Sequence, residues 1–240
     1  MLKFVVIAVV FLVGAWLQGA VGFGLGMIGA PVLALLRPDL LPATVILLAF
    51  FTSLFVLIRE WGSVNWRYFG WVLVGRLPGT ALGAMAVSAF APIYISLLVG
   101  VAVLGGVALS SLGWSPRPHG RNLVVAGAIS GVFGTATSIG GPPLAIVMRR
   151  VPPSTLRATI SAYSALGSVV SLAALWVGGS FEANHVLGGA VLAPFVLIGL
   201  VLSNVIGRRF KGKTLFTVGT AAALISALLV IVNSIIPFRG

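Results

Sequence analysis

The chain has 240 residues, 59% hydrophobic and 8% charged, with 15 Lys and Arg against 3 Asp and Glu and a net charge of +12. Soluble domains carry about a quarter charged residues, so this composition specifies an integral membrane protein without a soluble domain. The basic excess falls in short loops, as the positive-inside rule expects, and forms no aromatic-interleaved stripe for nucleic acid; the absence of cysteine excludes disulfides, thiolate metal sites and cysteine nucleophiles.

Residues 1–17 carry Lys3, an apolar run and small residues, a pattern shared with signal peptides. The second half keeps an equivalent segment, Leu123 to Ser130, ahead of its own glycine motif, so the first run reads as a retained helix. Residues 4–36 form an apolar stretch broken at Gly22–Pro31, and helices over 42–59, 67–88 and 92–111 follow. The hydrophilic stretch Trp114-Ser-Pro-Arg-Pro-His-Gly-Arg121 is the one clear linker. Residues 122–148 then repeat the plan, broken at Gly134–Pro143, followed by helices over 157–178, 185–206 and 213–236. The organisation expected is a first membrane repeat over 1–113, a cytoplasmic linker over 114–121 and a second repeat over 122–240.

The duplication is visible in the residues. Gly19-Ala-Val-Gly22-Phe-Gly-Leu-Gly-Met-Ile-Gly-Ala-Pro31 returns as Gly131-Val-Phe-Gly134-Thr-Ala-Thr-Ser-Ile-Gly-Gly-Pro-Pro143. Helices interrupted at matching positions of two membrane-embedded halves point to a transporter's binding site.

As one helix, residues 4–36 would extend about 50 Å, too long for a single untilted crossing of about 30 Å. A hairpin of two shorter helices fits better, and loop charge supports it. With each broken segment returning to its own side, one face collects Arg59, Arg67, Arg117, Arg121, Arg149, Arg150, Arg157, Arg208, Arg209, Lys211 and Lys213. The other holds Lys3, Arg37 and Arg239 with Asp39 and Glu182. Single crossings would leave the basic residues nearly evenly divided, so the hairpin arrangement is favoured. A hairpin plus three crossings is odd in number, so the halves are inverted, the hairpins enter from opposite faces to meet near the midplane, and both termini lie outside the cytoplasm. The fold class is thus an all-α polytopic membrane protein of two inverted repeats, in the inner (cytoplasmic) membrane.

At these motifs the sequence resembles the TauE/SafE family, the sulfite-exporter or organic-anion permease group of bacterial membrane proteins. The residues that carry the resemblance are Gln18-Gly-Ala-Val-Gly-Phe-Gly-Leu-Gly with Pro31, and Gly131-Val-Phe-Gly with Ser138-Ile-Gly-Gly-Pro-Pro143. Leu77-Pro-Gly-Thr-Ala-Leu-Gly83 looks like the family's third-helix pattern, and Ile198-Gly-Leu-Val-Leu-Ser-Asn-Val-Ile-Gly-Arg-Arg209 like its second-half counterpart. The resemblance spans essentially the whole chain. It implies movement of sulfite, sulfonates or related sulfur-containing anions across the membrane without ATP.

A small oxyanion needs donors and positive potential in a low-dielectric region. Broken helices supply both through unpaired N–H groups and helix dipoles. Pro31, Pro142 and Pro143 are hinges that open the returning half-helices, and Gly22, Gly24, Gly140 and Gly141 belong to the cradle before them. The competing reading of such glycines is tight helix packing. Gln18, Ser130, Thr135, Thr137 and Ser138 lie in or beside the turns as donors, or as caps for freed backbone groups. Arg76 sits mid-helix without an acidic neighbour, so it either meets an anionic substrate or snorkels to the surface. Asn204 is a weaker candidate in the second half.

Asp39, Glu60 and Glu182 are the only acidic residues and fall at helix ends, which argues against a carboxylate proton relay. His119 in the linker and His185 at a helix start read as solvated, and neither builds a metal or catalytic cluster. No Walker motif is present, and no cofactor is implied. The partners expected are a small anionic substrate and the bilayer, without nucleic acid; a homodimer and a coupling cation on hairpin carbonyls remain open. A channel of the same fold also stays open, whereas an intramembrane enzyme lacks an acid–base or nucleophile set, and a scaffold would have no use for duplicated broken helices.

Overall fold

The computed structural model describes residues 1–111 and 116–205, with 224, 225, 228, 231 and 232. Residues 112–115 of the linker region, most of the helix expected over 213–236, and Arg208, Arg209, Lys211, Lys213 and Arg239 lie outside the described residues. All regular structure among the described residues is helical. The helices are α1 (Leu2–Val21), α2 (Leu25–Leu36), α3 (Ala43–Glu60), α4 (Trp66–Ala89), α5 (Pro92–Ser111), α6 (Gly120–Thr137), α7 (Gly141–Val147), α8 (Pro153–Val177) and α9 (Ala183–Val205). Among the described residues five segments are long and apolar enough to cross a bilayer: Leu2–Val21, Ala43–Ser63, Trp66–Ala89, Pro153–Val177 and Ala183–Asn204. This is a multi-pass membrane protein.

Both breaks are present and shorter than expected. The first is confined to Gly22–Gly24, where Gly22 adopts φ 96° and Gly24 φ 151°, conformations that glycine reaches without steric penalty. Pro31 therefore does not open the returning half-helix as its hinge. It lies inside α2, six residues beyond the start, where it removes the hydrogen bond that would otherwise close on the Met27 carbonyl. The second break covers Ser138–Gly140, with Ser138 at φ 64°. There Pro142 and Pro143 occupy the first turn of α7, where a missing N–H leaves no helical bond unmade.

Nor are the two limbs of each hairpin both short. At 1.5 Å per residue α1 extends about 30 Å and α6 about 27 Å, whereas α2 and α7 return only about 18 Å and 10 Å. The long limbs carry the tips deep. Gly22 lies against Arg157 at the start of α8, and the Ser138 hydroxyl donates to the Pro42 carbonyl at the start of α3 (2.9 Å). Because α3 and α8 run antiparallel, with Glu60 beside Arg157 at one end and Ala43 packed near Leu175 at the other, the tips point in opposite directions.

Small residues set the closest packing. Gly75, Gly79 and Gly83 of α4 lie against the backbone of Val124, Ala128 and Val132 of α6, so these helices run parallel with almost no side chain between them. Gly127 and Gly131 of α6 complete the seam against Val72 and Arg76 backbone; Gly131, part of the repeated motif, thus serves helix packing. On the other flank Gly199 of α9 meets Leu12 of α1. Between the flanks α3 packs on α8, α4 on α8, and α3 on α9.

The distribution of polarity suits lipid. Phe51, Trp71, Leu82, Met85, Trp176, Leu187 and Val201 are exposed, while Gln18, Thr52, Ser53, Arg76, Ser130, Thr135, Ser168 and Ser171 are buried. Buried polar groups of this number face the bundle interior because hydrocarbon offers them no partners.

Candidate functional site

The two hairpins meet. Gly26 of α2 touches the Ser138 carbonyl, and Gly141 of α7 lies beside Phe23. Around this junction is a cavity of about 50 Å³, walled by Gln18, Phe23, Gly24, Gly26 and Met27 of the first hairpin and by Gly134 and Ser138–Pro142 of the second. Ile46 and Ala49 of α3, Arg76 of α4, and Tyr163, Ser164 and Ser168 of α8 close it. A water needs roughly 10–15 Å³ by this measure, so the space suits a few waters or one small ion.

Arg76 does not snorkel. Its side chain is buried, the residue 4% exposed, with Cζ 4.4 Å from the centroid of the Tyr163 ring. Nη2 donates to Ser171 Oγ (3.1 Å), and Ser171 Oγ shares a hydrogen bond of 2.8 Å with Thr135 Oγ1. Gly134 and Gly167 leave the guanidinium its space. Among the described residues no carboxylate pairs with it: Asp39 binds Arg37, and Glu60 binds Arg59 and Arg157. Arg76 Nε and the Tyr163 hydroxyl are both buried without a hydrogen-bond partner. Leaving such groups unpaired is unfavourable by about 1–3 kcal/mol each, more for charged ones.

Most other candidates hold the hairpins. Gln18 Nε2 donates to Ser53 Oγ (3.0 Å), and its Oε1 accepts the Leu25 N–H (3.2 Å), capping the start of α2. Ser130 Oγ donates to the Gly140 carbonyl. Thr137 Oγ1 donates to the Phe133 carbonyl (2.6 Å) and accepts the Ile139 N–H (3.3 Å). With these hydroxyl protons committed to carbonyls, Ser130, Thr137 and Ser138 shape the second turn. Thr135 acts on the guanidinium through Ser171. Gly24, Gly140 and Gly141 line the cavity, as does the first turn of α2, whose dipole is positive there. Gly22 and Asn204 are not brought to Arg76. Gly22 abuts Arg157, and Asn204 Oδ1 accepts from Arg59 at the far side of the first tip.

Sequence reasoning missed Tyr163, Ser164, Ser168 and Ser171. The signal was a run of serines at 161, 164, 168 and 171, spaced to lie along one helix face. His185 also departs from expectation. It is buried, stacks on Phe181 and accepts the Glu182 N–H at Nδ1 (2.9 Å), so it serves as a helix-start cap. Outside the spans, the Arg37 guanidinium hydrogen-bonds Asp39 and holds its carboxyl below the ordinary carboxylate range, although partial burial opposes this. Among the described residues no group of three metal-ligating side chains comes together.

The sulfite exporter TauE/SafE family model matches residues 6–231. The chain belongs to the TauE/SafE family. That places it in a family of membrane transporters named for sulfite export. The match runs through both hairpins and every element of the TauE/SafE cavity. No curated protein and no solved structure gave a significant match.

Proposed function

We propose that this protein is a secondary transporter of the inner membrane that moves small sulfur-containing anions, sulfite or similar, without ATP and without catalysing a reaction. The observation that carries this reading is Arg76: a buried cation without a carboxylate partner, facing a cavity between two broken helices. A fixed charge inside a bilayer interior is expensive and pairs with something; a transported anion is the partner this site lacks. Arg76 Nε and Nη atoms, the Tyr163 hydroxyl, Ser164, Ser168 and the first turn of α2 are the donors around it. The small volume favours an anion with a compact oxygen shell over one with a long organic tail.

Alternating access is supported by the pairing of helices. Exchanging α1 with α6, α2 with α7, α3 with α8 and α4 with α9 turns the α1–α9 contact into α6–α4 and the α3–α9 contact into α8–α4, while α3–α8 maps onto itself. That exchange supports two inverted repeats over 1–113 and 122–240 joined by a linker at 114–121. Rocking one half on the other around the α3–α8 contact would then expose the Arg76 cavity to each face in turn.

The test is thermal stabilisation of purified protein by sulfite, sulfate, thiosulfate, sulfonates and carboxylates at constant ionic strength, followed by flux in proteoliposomes. A ligand that binds the folded state raises apparent stability by mass action. Stabilisation by sulfur oxyanions that is strongly weakened in Arg76→Ala, with saturable flux in the unaltered chain, is expected. Flux that rises linearly with concentration instead identifies a channel, and no stabilisation by any anion sinks the site.

A further inference from the structure

A second cavity, of about 370 Å³, lies on the other side of the first hairpin tip. It is walled by Gly19 and Ala20 of α1, Arg59 and Glu60 of α3, Arg157 of α8, and Ser203 and Asn204 of α9. Helices from both halves therefore converge on it. Successive residues of one helical turn separate the two cavities: Gln18 lines the central one, Gly19 and Ala20 the second.

Among the described residues the charge in this second cavity is unbalanced. Two guanidinium groups share one carboxylate. Arg157 Nε lies 3.1 Å from both Glu60 oxygens, and Nη2 lies 3.0 Å from Oε1. Arg59 Nη2 binds Glu60 Oε1 (3.0 Å) and the Gly19 carbonyl (2.8 Å), and its Nη1 binds Asn204. Among the described residues Arg59 is thus held by three acceptors, whereas Arg157 has Glu60 alone. The side chains are 29%, 14% and 25% exposed for Arg59, Glu60 and Arg157, so solvent screens them only in part. A guanidinium fork donates to two oxygens of a sulfur oxyanion in the geometry in which it donates to a carboxylate.

We propose that this cavity is a second anion site, a vestibule in which Arg157, supported by Arg59, holds a small oxyanion in competition with the Glu60 carboxylate. That the ion held is the transported one rests on the function proposed above. The site also touches the moving part. Gly22 lies so close to Arg157 that a side chain there would meet its Cα and Cγ, and Arg59 is tied to Gly19, so an anion that takes Arg157 from Glu60 loosens the hold on the hairpin tip. The cavity at the opposite end, beside Asp39, Pro42 and His185, has no arginine in its lining among the described residues.

The experiment uses the full chain in detergent, with the central site removed by Arg76→Ala so that the vestibule is read by itself. Sulfite and sulfate are titrated at constant ionic strength, and the thermal shift is fitted for affinity. Arg76→Ala should keep a weak, saturable stabilisation. Adding Glu60→Gln should tighten it about two- to five-fold, the worth of removing one partly screened competing charge, and adding Arg157→Gln should abolish it. If Arg157→Gln does not fold, the Glu60→Gln titration decides alone. Loss of all anion response in Arg76→Ala overturns the vestibule and leaves the central site standing. A residual response indifferent to position 60 also overturns it. No response in the unaltered chain overturns both.

Discussion

Gly167 of α8 lies directly against the guanidinium of Arg76 on α4, so close that a methyl group there would overlap the guanidinium carbon. The cation keeps its position over Tyr163 because this one site in α8 has no side chain. Gly167→Ala should therefore push Arg76 off Ser171 and out of the cavity, with an overpacking penalty of about 1–3 kcal/mol. The expected result is inserted, folded protein whose response to sulfur oxyanions is weakened to that of Arg76→Ala. Gly105→Ala is the control, since nothing lies within 4 Å of a Cβ there; equal behaviour of the two variants would argue against a positional role for Gly167.

Tyr163 has two separable functions. Its ring lies under the Arg76 guanidinium, and its buried hydroxyl has no partner. Tyr163→Phe keeps the ring and removes one donor, so anion affinity should fall roughly tenfold or more, as for a hydrogen bond to a charged group of about 1.5–3 kcal/mol. The fold should be unaffected, and ligand-free stability should hold or rise, because an unpaired polar group has been removed. Tyr163→Ala should also lose stability by about 3–5 kcal/mol through the void it leaves. Titration and melting of both variants separate the two functions; Tyr163→Phe binding as tightly as the parent would remove the hydroxyl from the site.

How much of this was readable beforehand follows from where each signal lives. Helices expected over 42–59, 67–88, 92–111, 157–178 and 185–206 appear within a few residues as α3, α4, α5, α8 and α9, because long apolar runs bounded by Pro, Gly and charge leave little choice of structure. The doubled glycine motif located both breaks, and the missing acidic neighbour singled out Arg76. The depth of the hairpins was not readable, since glycine permits a turn without fixing which glycine makes it. Thus the first turn uses Gly22 and Gly24 and absorbs Pro31 into a helix. Nor was the division of labour among hydroxyls. Ser130 and Thr137 bond carbonyls of their own hairpin, while Ser171, on a helix far along the chain, reaches Arg76; composition near the motif could not separate these.

Ser171 joins Arg76 and Thr135. In a three-membered buried chain, removing the middle group frees both ends, so single losses do not add. Ser171→Ala should weaken anion binding more than Thr135→Val, and the double variant should be little worse than Ser171→Ala. Anion titration across the four proteins of the cycle measures this. Fully additive effects would show that Thr135 acts independently of the guanidinium.

The seam between α4 and α6 tests the structural role of the glycines near the site. Gly79 lies against the Ala128 carbonyl, and Gly131 meets the backbone of Arg76 and Thr80. Backbones this close derive their stability from van der Waals contact and leave no room for a side chain. Gly79→Val should separate the helices, reduce stability by about 1–3 kcal/mol and displace Arg76, which is carried on the same face one turn away. Melting of the purified variant should show the loss, and anion response should fall with it. A companion change, Gly70→Val, faces open space and should do neither. If Gly79→Val melted like the parent while losing its anion response, Gly79 would belong to the binding site rather than to the seam.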